Sequence, residues 1–99
     1  MPHLRGPQQL LEYFGHHERE DPTFAHWHHG AVMCRWWLSL IANGATQDDT
    51  DDFLGHLKAE TESSPAWLEL RCQFGEWAKS QGYRDWVLRI EPAHRVTRW

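Results

Sequence analysis

The segment from Asp21 to Gly44 constrains this chain more than any other. Asp21-Pro22 has the form of a helix start, with Asp as N-cap and Pro at the first helical position. Phe24, Trp27, Ala31, Cys34, Leu38 and Ile41 then recur in threes and fours, the spacing of one helical face. Val32, Met33, Trp36, Trp37 and Leu40 widen that stripe to most of the circumference. A helix apolar nearly all round belongs in the centre of its fold. Asn43-Gly44 supplies a stop. The expectation is an all-α fold, a compact bundle of four or five helices around a central 22–43 helix.

Other helices are read from the same kinds of signal. Gly6-Pro7 before Leu10, Leu11, Tyr13 and Phe14 predicts a short helix ending near Gly15, with His16 to Glu20 as a loop. Thr46-Gln47-Asp48-Asp49 has the shape of a capping box, and Asp51 and Asp52 add negative charge close to the helix N-terminus. Phe53, Leu54 and Leu57 give that helix a narrow apolar stripe ending before Ser63. Ser64-Pro65 opens a further helix through Trp67, Leu70, Arg71, Phe74, Trp77 and Ala78, with Gly82 as its C′ residue. Residues 83–90 fit a strand or a fifth helix, and Pro92 ends either. Residues 92–99 read as a basic tail, mobile until a partner orders it.

Ninety-nine residues make one domain. No apolar run is long enough to cross a bilayer, and the first residues lack the features of a signal peptide. Cys34 and Cys72, far apart and without CxxC spacing, read as buried thiols of a reducing cytoplasm. The formal net charge is −4, unevenly placed. Residues 48–62 carry six acidic groups against Lys58, net −5, whereas 83–99 carry Arg84, Arg89, Arg95 and Arg98 against Asp85 and Glu91, net +2.

Eight histidines, five of them between His16 and His29, invite a metal reading. His26 and His29 share a helical face, with Cys34 about a turn and a half beyond, but the spacing matches no established zinc motif. No metal or other cofactor is expected. These histidines read instead as partly exposed polar residues, some touching a partner. Catalysis is not expected either. Cys34, Cys72 and Ser39 sit among bulky apolar neighbours, and GxSxG, P-loop, GxGxxG and HExxH are all absent. A net negative body disfavours direct binding of nucleic acid. Seven tryptophans exceed what a core this small needs. One or two are expected at the surface, where Trp is a frequent binding anchor.

Two stretches carry a resemblance: Cys34-Arg35-Trp36-Trp37-Leu38-Ser39-Leu40-Ile41-Ala42-Asn43, and Ser64-Pro65-Ala66-Trp67-Leu68-Glu69 running on to Phe74-Gly75-Glu76-Trp77-Ala78. With the length and mass, they resemble the small anti-RecBCD proteins of lambdoid phages. The resemblance implies a non-enzymatic phage protein that binds the host RecBCD helicase–nuclease in the cytoplasm and alters its exonuclease or Chi response. Nucleic acid would then be met only through the partner. Arg89, Arg95, Arg98 and Trp99 are the expected tail contacts, with Trp27, His26 and His29 as a second patch. Another counter-defence protein such as an anti-CRISPR, a His-rich metal-binding regulator and a transcription accessory factor share the composition.

Overall fold

The computed structural model describes residues 6–83. They form four helices: α1 Gly6–Glu20, α2 Ala25–Asn43, α3 Gln47–Ala59 and α4 Pro65–Ser80. The all-α expectation holds, while the segment expected as strand or fifth helix and the tail lie outside the described residues. None of these helices is long and apolar enough to cross a membrane.

α2 packs on each of the other three helices, and so does α4. Between them lies one core drawn from all four helices, including Leu10, Phe14, Cys34, Trp37, Phe53, Trp67 and Phe74. Phe53 stacks on Phe74 at 4.0 Å between ring centres, and Trp37 meets Phe74 edge-on at 5.4 Å. Full burial of one Phe stabilises by about 1.5–3 kcal/mol, so this aromatic column is a major cohesive element. Gly30 of α2 sits under Phe14 of α1: a Cβ built there would lie 2.3 Å from the ring. α1 and α2 reach this separation only because position 30 has no side chain.

The local signals for α3 and α4 are borne out. Thr46 Oγ1 accepts from the Asp49 N–H and the Asp49 carboxylate accepts from the Thr46 N–H, a complete capping box. Ser64 caps α4 through the Trp67 N–H, with Pro65 at the first position. Gly44 and Gly82 take positive φ at the ends of α2 and α4. Tyr83 packs near Trp77, and its hydroxyl donates to the Ala45 carbonyl at the α2–α3 turn.

Three readings are corrected. α1 does not stop near Gly15 but runs through His16 to Glu20, because its last turns are packed: His17 stacks on Trp27 of α2 at 4.5 Å. α2 does not begin at Asp21-Pro22. Those residues turn the chain instead, with Thr23 Oγ1 donating to Asp21 and the Phe24 N–H to the Asp21 carbonyl, so the 22–43 helix is 25–43 with Phe24 as an N-cap that makes no side-chain bond. Nor is α2 covered all round: His28, Val32, Arg35 and Ser39 form an exposed side, and Ile41 is exposed as well.

Candidate functional site

The first turns of α2 bring histidines against the 60–64 link between α3 and α4. His29 Nδ1 donates to Glu60 Oε2 at 3.0 Å. His26 Nδ1 lies 3.3 Å from the same oxygen, within ion-pair distance but off the line of a hydrogen bond. On the far side of its ring, His26 Nε2 is 3.1 Å from Ser64 Oγ. A carboxylate only accepts, so the ring nitrogens facing it carry their protons, and the other side of the His26 ring is left to pair with the Ser64 hydroxyl. Ser64 Oγ thus accepts from the Trp67 N–H and also meets the buried His26 ring. Beneath the pair lies the Trp67 ring, 5.3 Å from His26 and 5.2 Å from His29.

This clasp is largely dry. The Glu60 side chain is 12 % exposed and that of His26 only 2 %. Burial alone would raise the Glu60 pKa. The hydrogen bonds from His29 and the Glu62 amide, with the His26 ring close by, overcome that effect and hold the carboxyl at about 2, so it stays ionised. Burial has its usual effect on Cys34, whose thiol is pushed up to about 12 and is therefore unreactive.

The clasp forms one wall of a hollow of about 530 Å³. Phe24, Ala25 and Val32 give it apolar surface, and His28, His29 and Glu62 place polar groups around them. His28 is steadied by Glu18 of α1, 2.6 Å away. Beside it, Trp27 packs among Phe14, His17 and Phe24 and remains half-buried.

Of the residues expected to meet a partner, Trp27 and His29 are half-buried but face different neighbours, Trp27 packing on Phe14 and His17 of α1 and His29 on Glu60 and Trp67. His26 is not a surface contact: it is 3 % exposed and acts as the inner member of the clasp. Arg89, Arg95, Arg98 and Trp99 lie outside the described residues. Cys72 and Ser39, expected among apolar neighbours, are both exposed. Among the described residues, no group of three or more His, Cys, Asp or Glu is arranged to hold a metal ion; His26, His29 and Cys34 make no such set. Glu60 was not singled out as a site residue because it reads as one more carboxylate of an acidic stretch. Ser64 read only as a cap.

The residues that carry the anti-RecBCD resemblance are divided between core and surface, with Arg35, Ser39, Ile41, Leu68 and Glu76 among the exposed ones. Cys34, Trp37, Leu40, Trp67, Phe74 and Ala78 are buried. No protein-family model matches the chain, and neither a curated protein nor a solved structure matches it.

Proposed function

We propose that this protein acts by binding another protein, through the end of the bundle that holds the clasp. The observation that carries this reading is the mainly apolar hollow of Phe24, Ala25 and Val32 set on a wall fixed by the His26–Glu60–His29 contacts. A preformed apolar recess with a few oriented polar groups at its edge is the surface an inserted side chain requires. Trp27, half-buried and in ring contact with Phe24 of the lining, supplies an aromatic anchor of the kind that dominates interface energetics. No chemistry is assigned to the site: the Cys34 thiol is held protonated by burial, and the Ser64 hydroxyl is engaged as a helix cap.

On the resemblance of the 34–43 and 64–78 stretches, the proposed partner is the bacterial RecBCD helicase–nuclease. In this reading the hollow and Trp27 dock on the enzyme, and Arg89, Arg95, Arg98 and Trp99 add contacts. The test is a pull-down of tagged protein from nuclease-treated bacterial lysate, alongside Val32→Glu, which places a charge in the hollow without disturbing the core. Joint recovery of RecB, RecC and RecD with the wild type, and loss with Val32→Glu, supports both the partner and the face. Recovery of a different complex, again lost with Val32→Glu, keeps the face and discards RecBCD. Recovery undiminished by Val32→Glu discards the face. For the tail, Arg95→Ala with Arg98→Ala is expected to weaken binding; an affinity unchanged within about threefold, or under 1 kcal/mol, removes it from the interface.

A further inference from the structure

The chain leaves α4 at a fixed point. The Tyr83 N–H donates to the Ala78 carbonyl at 2.9 Å, its hydroxyl donates to the Ala45 carbonyl, and its ring lies 6.5 Å from that of Trp77. Gly82, with a φ of +90°, makes the bend that turns Tyr83 back against the bundle. Residues 84–99 follow. They set out from the end of α2, because Ala45 lies in the turn between α2 and α3.

The surface beside this exit is apolar and incompletely covered. Among the described residues nothing closes over Ile41, which is 46 % exposed in the last turn of α2. A single exposed isoleucine is ordinary, but this one borders a recess of about 580 Å³ together with the half-buried Trp77 and Pro7. That volume is in the range that takes up side chains. The segment that follows Tyr83 suits it. Trp86, Val87, Leu88 and Ile90 are four apolar residues in five positions, and Arg84 and Arg89 accompany them. The charged residues of the recess are Glu69 and Glu76, so the signs are complementary. Even a fully extended chain keeps Trp86 within about 11 Å of Tyr83 and Ile90 within about 25 Å.

We propose that residues 86–90 fold back onto Ile41 and Trp77 of the same chain and close this face. Closing a loop of so few residues costs little, and the anchored Tyr83 sets its direction. The docking does not depend on the identity of any partner, but it has a consequence for one. With 86–90 held at the end of α2, Arg95, Arg98 and Trp99 set out from a point about 20 Å along that helix from His26 and His29. A partner that meets both the clasp end and the tail must span that length.

The test is amide hydrogen exchange of the isolated full chain, read residue by residue by NMR at two protein concentrations. The amides of 86–90 are expected to exchange about tenfold or more slowly than in an unstructured peptide, equally at both concentrations. Ile41→Glu, which charges the exposed face, should return them to peptide rates while core amides such as that of Leu70 stay protected. Leu88→Glu makes the same break from the other side without altering any of the four helices. It keeps the test decisive if Ile41→Glu also loosens the core. Peptide-like exchange of 86–90 in the wild type overturns the proposal. Protection that survives both Glu variants overturns it too, since the segment would then lie elsewhere. Protection that grows with concentration assigns the face to a second copy and overturns the closure within one chain.

Discussion

Phe14 and Gly30 are in such close register that the ring of one occupies the space where a side chain of the other would begin. Replacing Gly30 with Ala puts a methyl carbon 2.3 Å from Phe14 Cδ1, so α1 and α2 must separate or the ring must leave its rotamer. A helix-interior Gly→Ala change gains about 1 kcal/mol of propensity, and overpacking costs about 1–3 kcal/mol. Net destabilisation is expected by urea denaturation. The double variant Gly30→Ala, Phe14→Leu should be more stable than the sum of its single changes implies.

Glu60 links acid stability to the clasp. Its folded pKa of about 2 lies below the ordinary value of 4.5. The unfolded chain therefore takes up the proton first as pH falls, and the stabilisation is complete above pH 4.5 and lost between there and 2. Glu60→Gln removes that contribution, about 1–3 kcal/mol for hydrogen bonds to a charged group. The stability difference between wild type and Glu60→Gln, from denaturation at a series of pH values, should be flat above this window and shrink within it.

Ser64 and Thr46 are both N-caps, but only Ser64 also meets a buried side chain. Thr46→Ala should cost about 0.5–2 kcal/mol, the ordinary range for a cap. Ser64→Ala should cost more, since it also leaves His26 Nε2 without its partner. A double-mutant cycle pairing Ser64→Ala with His26→Ala is expected to give a coupling of about 0.5 kcal/mol or more. A cycle pairing Thr46→Ala with His26→Ala should give none.

The two cysteines should separate by reactivity. Cys34 is buried with its thiol pushed up to about 12, whereas Cys72 is exposed. Iodoacetamide at pH 8 is expected to modify Cys72 in the folded protein and Cys34 only once the chain is denatured, as read by mass spectrometry of the peptides.

What the sequence disclosed follows from how local each determinant is. The starts of α3 and α4 were legible because Thr46 with Asp49, and Ser64 with Trp67, are bonded three positions apart. The end of α1 was not. Gly15 and the polar run after it look like a break, and the compensating stack of His17 on Trp27 comes from another helix. Asp21-Pro22 has start chemistry but is used in the turn between two tightly packed helices. The clasp was the least visible part, because His26 and Ser64 are 38 positions apart and His29 and Glu60 are 31 apart. No periodicity joins them. The exposed sides of α2 were missed for a related reason: apolar spacing marks which residues are able to be buried, not how many neighbours are there to cover them.

Those separations also set an order of assembly. Phe14 and Gly30 meet across one short turn, so α1 and α2 form a hairpin at little loop-closure cost. The His26–Ser64 contact closes a loop more than twice as long, and logarithmic scaling adds about 0.8 kcal/mol to the closure. Local contacts are recovered early in folding and distant ones late. The clasp is therefore expected to form on the native side of the barrier. It acts as a brake on unfolding rather than an aid to folding, and its loss through Glu60→Gln would shorten the lifetime of the folded protein while leaving the rate of its formation almost unchanged.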